Sequence, residues 1–289
     1  MSTAMKATSD GGVLDVAWHA GWPSPKHDPA PEIQVHAYDE HTVLLRQNMP
    51  VHFEAPFLFL LLGTERALLL DTGATEDPRH LPLRQVVDDL LADRLSTRPD
   101  YGLVVAHTHG HGDHLAGDAQ FVGRPNTTIL GSRPEDVADF FGLRDWPTDT
   151  AEFDLGDRLL EVIPGPGHHA SAAVFHDRRT GLLFTGDTVY PGRLYVEDWP
   201  AFAATIDRLV EFCSRHAVSH LLGCHIEMTT TPGVDYPRGT TYQPEEPPLE
   251  LTVEQLHAVR RAVVEIDGRP GVHRFDDFVI HNRDDRALV

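Results

Sequence analysis

Residues 107–114 read His-Thr-His-Gly-His-Gly-Asp-His, directly behind the apolar run Gly102–Ala106. No other stretch constrains the fold as tightly. Four side chains with metal-binding chemistry, His109, His111, Asp113 and His114, fall within six residues. Gly110 and Gly112 separate them, and glycine permits the backbone angles that so crowded a turn needs. A strand that delivers such groups from its end is the usual geometry of sites in layered α/β folds. His109 and His111 can turn to one side and share a cation, while Asp113 and His114 turn to a second. Zinc accepts both nitrogen and oxygen ligands.

The pattern of strand, sharp turn and polar side chain recurs along the chain. Phe57–Leu62 and residues 67–70 form a hairpin pattern that ends in Asp71-Thr72-Gly73. Asp71 is read either as a carboxylate that holds a ligand histidine or as a simple turn former. Pro164-Gly165-Pro166-Gly167 frames His168 and His169. His168 is the expected ligand, with His169 near the substrate or behind the ligands. Gly186-Asp187 ends another apolar run with a lone carboxylate, which between two dications can bridge them. Gly223-Cys224-His225 repeats the pattern and offers a last imidazole.

Apolar spacing predicts helices over 81–95, 134–141 (capped by Ser132), 199–216 and 251–264, with another starting at Leu115 behind the cluster. Strands are expected over 33–47 as one or two with a turn near Asp39-Glu40, then over 127–130, 172–176, 181–185, 218–222 and 275–280, with a hairpin over 152–163. Residues 1–32 read as an N-terminal arm whose Trp18 and Trp22 anchor it or line a pocket. Residues 33–289 read as a single catalytic domain, in which the Pro- and Glu-rich stretch 226–250 flanks the active site.

The chain carries 44 acidic residues against 24 Lys and Arg, a formal charge of -20. Its lysines are Lys6 and Lys26; the other cations are arginines. That balance repels phosphate backbones and anionic lipid, so nucleic-acid and membrane partners are not expected. Residues 1–20 lack an apolar leader, and Phe57–Leu62 is too short to span a bilayer. A cytoplasmic location is expected. Cys213 and Cys224 do not make a disulfide framework.

Taken together, Asp71-Thr72-Gly73, His109-x-His111-x-Asp113-His114, Pro166-Gly167-His168, Gly186-Asp187 and His225 resemble the ordered motifs of the metallo-β-lactamase-fold hydrolases. The likeness covers residues 33–230. It implies an α+β fold: a four-layer αββα metallo-β-lactamase sandwich with the metal site at one edge of the two sheets. It implies His109, His111 and His168 on one metal, Asp113, His114 and His225 on the other, and Asp187 bridging. Asp113 and Asp187 resemble the glyoxalase II and lactonase branch; class B β-lactamases typically carry a cysteine where Asp187 stands.

The implied activity is hydrolysis of a small-molecule carboxylic ester, lactone, thioester or amide by a hydroxide bridging two metals. Two Zn(2+) per chain are expected, with Fe or Mn as alternatives. Asp113 would orient the hydroxide and carry its proton. Tyr190 stands at the offset of a lactonase tyrosine that donates to the substrate oxygen. Arg193 is a candidate partner for a substrate carboxylate, beside Tyr195. His52 and Phe53 are read as the opposite wall, and Tyr236 as a substrate contact or a pin for its loop. The basic residues that hold glutathione in glyoxalase II are not recognisable. A homodimer is a further partner expectation. Alternative readings are a phosphodiesterase, or a mononuclear iron dioxygenase of the persulfide dioxygenase type using His109, His168 and Asp187. A non-enzymatic binding protein on the same scaffold comes last.

Overall fold

The computed structural model describes residues 12–283. Residues 1–11 of the expected arm, which are also part of the segment read as lacking a leader, lie outside the described residues, as do 284–289. The first sheet keeps sequence order: β1 (Ile33–Asp39), β2 (Thr42–Gln47), β3 (Phe57–Leu62), β4 (Arg66–Leu70), β5 (Gly102–Ala106) and β6 (Thr127–Ile129). β1 to β4 pair antiparallel, whereas β5 and β6 run parallel to β4. A parallel step needs a crossover, and α1 (Leu83–Thr97) supplies the first one. The short α2 (Gly112–Leu115) precedes β6, and α3 (Pro134–Phe141) follows it.

The second sheet begins with β7 (Ala151–Asp154), β8 (Leu159–Pro164), β9 (Ala173–Asp177) and β10 (Leu182–Gly186). The chain then leaves through β11 (Arg193–Val196) and α4 (Trp199–Arg215). It returns as β12 (His220–Gly223), parallel to β10, and β13 (Glu250–Leu251) closes that edge. After α5 (Val253–Ile266) come β14 (Gly271–Arg274) and β15 (Val279–Asn282), which join β11 in a small third sheet.

Strand alternation builds the layers. In β3 and β4, Phe57, Phe59, Leu61, Leu68 and Leu70 face Val162, Phe175, Leu182 and Phe184 of the second sheet. The intervening Leu58, Leu60, Leu62 and Leu69 face Leu83, Val87 and Leu91 of α1. On the far side, Ile163, Val174, Leu183 and Leu221 pack on Phe202, Ile206 and Leu209 of α4 and on Leu256 and Val259 of α5. This period of two, apolar on both faces, is what a doubly covered sheet requires. The result is helix, sheet, sheet, helix. Each buried Leu or Phe contributes about 1.5–3 kcal/mol of transfer free energy.

The structure corrects several expected elements. No long helix starts at Leu115; a 3-10 turn over Ala116–Phe121 follows α2 instead. The Ala116 amide donates to the Gly73 carbonyl, and a Cβ on Gly117 would stand 2.3 Å from the Thr72 carbonyl oxygen. Those ties bend the segment around the Asp71 turn. Arg133, not Ser132, caps α3, because Asp136 accepts from the Arg133 amide and guanidinium. The last strand starts at Val279 rather than 275, and β11 and β14 were not expected.

The described part of the arm, 12–32, is mostly irregular. Trp18 packs edge-on against Phe57 at 4.8 Å, while Trp22 is exposed. The long loop after β12 folds back on this arm through a Gly21–Tyr242 bridge. A buried Arg46–Glu246 pair, doubly hydrogen-bonded at 2.6 Å, ties the loop to β2. Both cysteines are free thiols. Among the described residues no helix is long and apolar enough to cross a membrane.

Candidate metal centre

The polar turns that follow β4, β5, β8, β10 and β12 converge at one edge of the two sheets. Asp71 follows β4 with a φ of 66°, a left-handed conformation that Asp and Asn tolerate better than most residues. Its carboxylate is fully buried. It accepts from the Thr108 amide (2.7 Å), the Thr108 hydroxyl (2.8 Å), His114 Nδ1 (2.8 Å) and the Cys224 thiol (3.3 Å). Asp71 therefore stands behind the cluster and orients it. Gly167 has a φ of 141°, and a Cβ there would lie 2.4 Å from the Phe202 backbone. Only glycine lets the chain pass so close to α4 and present His168.

His109, His111 and His168 form the first group. His109 Nε2 and His111 Nδ1 are 2.9 Å apart, and His168 Nε2 lies 3.2 and 3.0 Å from them. Ligand atoms at tetrahedral Zn–N distances stand about 3.3 Å apart. Asp113, His114, Asp187 and His225 form the second group. His225 Nε2 lies 3.3 Å from Asp113 Oδ2, 3.4 Å from Asp187 Oδ1 and 3.4 Å from His114 Nε2. Asp187 reaches both groups: Oδ1 is 3.6 Å from His114 Nε2, and Oδ2 is 3.8 Å from His168 Nε2.

Hydrogen bonding at the outer nitrogens shows why these atoms fit a cation. His168 Nδ1 donates to the Tyr195 carbonyl, His225 Nδ1 to the Glu54 carbonyl, and His114 Nδ1 to the Asp71 carboxylate. Each acceptor takes the Nδ1 proton, so Nε2 is the nitrogen each ring turns inward, as a lone pair whenever the ring is neutral. In the first group burial favours the neutral rings of His109 and His168, and lone pairs that converge there repel one another. Among the described residues Asp187 Oδ1 is also buried with no hydrogen-bond partner, a costly state for a carboxylate oxygen. One or two divalent cations satisfy both demands.

The electrostatics agree. Burial opposes charge on His225, but Asp187 and Asp113 outweigh it and raise its pKa to about 9. His114 rises for the same reason: burial is outweighed by Asp113, Asp71 and Asp187. Asp187 falls to about 2, since His225, His114 and His168 overcome its burial. His109 shifts the other way, held neutral by burial and by His114, His168 and His111. His169 falls to about 4 through burial and the neighbouring His111 and His168 rings. It bonds Ser171 Oγ at 2.9 Å, outside both ligand groups.

A cavity of about 610 Å³ opens onto this edge, lined by His111, Asp113, His168, Asp187 and His225. His52, Tyr190 and Tyr195 line it; Phe53, read with His52 as a wall, is not among the lining residues and stacks on His52 at 5.0 Å. Two expected roles meet an obstacle. The Tyr190 hydroxyl is engaged by the Arg193 carbonyl and by Glu227 Oε2 at 3.0 Å, which leaves no free donor for a substrate oxygen. The Arg193 guanidinium is held by Glu227, Asp235 and the Tyr236 carbonyl, and only 6% of the residue is exposed. An arginine neutralised twice and buried cannot also take a substrate carboxylate. The Tyr236 hydroxyl accepts the Glu245 amide at 2.7 Å and pins the loop. Glu54, Glu197, Glu227 and Arg283 line the cavity without having been anticipated. Arg283, 58 residues beyond His225, offers no local signal; Glu227, two residues beyond His225, offered proximity alone.

A profile of the metallo-beta-lactamase superfamily matches residues 55–211. Acyl-coenzyme A thioesterase MBLAC2 of Homo sapiens is 28% identical over 210 residues, covering 58% of this chain and 72% of that protein. Hydroxyacylglutathione hydrolase of Rhizobium meliloti (strain 1021) is 29% identical over 133 residues, covering 43% of this chain and 52% of that one. The solved structure of a metallo-beta-lactamase from Pontibacter korlensis shares the fold, with a TM-score of 0.51 at 17% identity over 80% of this chain and 99% of that one.

Proposed function

The chain belongs to the metallo-beta-lactamase superfamily, and from that premise we propose a zinc-dependent hydrolase of small anionic thioesters. The observation that carries the metal chemistry is Asp187, whose two oxygens face two separate ligand groups. Imidazole and carboxylate ligands in such numbers suit zinc. His109, His111 and His168 would hold one ion and Asp113, His114 and His225 the other. Bound there, two divalent cations supply Lewis acidity and lower the pKa of water toward neutrality.

The chain's own groups do the rest. Asp113 lies beside His114 and His225, is partly exposed to the cavity, and accepts the proton of the attacking water. Glu54 shares that wall, and burial together with Asp113 raises its pKa. It is the next acceptor on the way to solvent. The outer partners Tyr195, Glu54 and Asp71 keep the imidazoles in one tautomer through the reaction.

Two observations support the substrate class. The side chains of Arg238 and Arg283 line the cavity and are 69% and 48% exposed; Arg238 lies 3.9 Å from Glu54 and Arg283 meets Glu197 at 3.1 Å, and neither is buried as Arg193 is. Guanidiniums so placed suit the anionic part of a substrate. Two of the relatives are named for thioester substrates, an acyl-coenzyme A and a hydroxyacylglutathione. The test is turnover of a short acyl thioester, a lactone and a phosphodiester. Thioester cleavage that disappears in His111→Ala supports the reading. Cleavage of the phosphodiester alone, or oxygen uptake with a persulfide, would replace it.

A further inference from the structure

A second cavity, of about 400 Å³, lies at the other end of the first sheet. The metal ligands follow the C-terminal ends of β4 and β5, whereas this cavity is lined by Gly63, Thr64 and Tyr101, which precede their N-terminal ends. The length of β5 alone separates the two by about 17 Å.

Arginines reach this cavity from three segments: Arg94 and Arg98 from the end of α1, Arg158 from the β7–β8 turn, and Arg179 from the β9–β10 turn. Arg158 forms the floor, only 2% exposed, and is satisfied by Asp177, Thr42 and backbone carbonyls. The others are less well matched. Arg94 donates to His41 Nδ1 at 2.7 Å, and no carboxylate of the described residues pairs with it. Arg98 donates to the Thr64 carbonyl at 2.7 Å and faces Asp100 at 3.5 Å. Arg179 faces Asp39 at 3.4 Å. Asp157 is the lining carboxylate, and it lies 3.4 Å from the Thr64 hydroxyl.

A helix C-terminus favours cations, which accounts for Arg94 and Arg98. It does not account for Arg158 and Arg179, which the second sheet brings to the same space. Like charges one helical turn apart also repel. Asp39, Asp100, Asp157 and Asp177 stand around the four arginines, but Arg98 and Arg179 meet their carboxylates only at 3.5 and 3.4 Å and Arg94 meets a histidine, so donors are left over at the rim. Guanidinium forks with spare donors match a pair of oxygens on a phosphate or a carboxylate. The volume falls in the range of small-ligand sites.

We propose that this cavity binds a small, multiply charged oxyanion, an organic phosphate or a polycarboxylate, away from the metal centre. The ligand would bridge the end of α1 in the first half of the chain to the β9–β10 turn in the second. It would therefore stiffen the junction of the two sheets without touching the reacting atoms.

The test is calorimetric titration of the metal-loaded protein with pyrophosphate and with citrate. The wild type is expected to bind at least one of them saturably. Arg94→Gln with Arg98→Gln should weaken that binding about tenfold or more, given the strength of charge-assisted hydrogen bonds. Arg179→Gln, on a surface turn, should weaken it independently and keeps the test open if the double variant does not fold. Metal content should stay at the wild-type level in each. Absence of saturable binding by either anion would overturn the proposal. So would unchanged affinity in the folded variants, which would place the anion at the metal centre instead. Thioester turnover is scored separately, so failure here leaves the catalytic reading standing.

Discussion

Asp71 accepts four hydrogen bonds while its backbone sits at a φ of 66°. Two variants separate these duties. Asp71→Asn keeps the backbone preference and removes the charge that orients His114. Asp71→Ala also strains the turn. Metal affinity, measured by chelator competition, is expected to fall about 10–100-fold in the Asn variant. The Ala variant should in addition lose thermal stability. His225 gives a pH prediction. Its metal-free pKa is about 9, because Asp187 and Asp113 outweigh burial. Below that pH the ring carries a proton, which a cation must displace. Metal affinity should therefore rise with pH up to about 9 and flatten above it, and loading at pH 7 should release protons. Calorimetry in buffers of different ionisation enthalpy measures that release. Loading without proton release would contradict the arrangement.

At the scale of elements, the buried Arg46–Glu246 pair is one of the ties that hold the loop over 226–250, beside the Arg193 pairs with Glu227 and Asp235. Glu246→Ala leaves Arg46 buried beside Phe57 without its carboxylate. Breaking a buried pair on one side costs about 3–5 kcal/mol. Urea unfolding should show that loss, and limited proteolysis should cut the loop faster than in the wild type. The same scale shows what the sequence reveals and what it hides. β3, β4, β5 and α1 were legible because apolar period and turn residues are local signals. The histidine turn was legible because four candidate ligands stand within six residues. β11 was not: Arg193–Val196 is short, follows Pro191-Gly192, and becomes a strand only by pairing with β15, whose first residue is Val279. The fate of Arg193 was hidden for the same reason. Its partners Glu227 and Asp235 lie 34 and 42 residues away. Chemistry that is contiguous in sequence can be read; charge neutralisation across a fold cannot.

For the whole molecule, metal and fold are linked. Cations that bind only the native chain stabilise it by mass action, by about 2.7 kcal/mol at a free concentration one hundred times Kd. Stripping them with a chelator should lower the melting temperature by several degrees, and re-addition should restore it. The central claim is that two ligand groups, joined by Asp187, hold two ions that act together. The measurement that tests it most directly is elemental analysis of protein purified without added metal, with thioester turnover followed on the same samples. The account predicts close to two divalent ions per chain, mostly zinc, with activity that follows occupancy and is lost in Asp187→Ala. One iron per chain with no hydrolysis would contradict it.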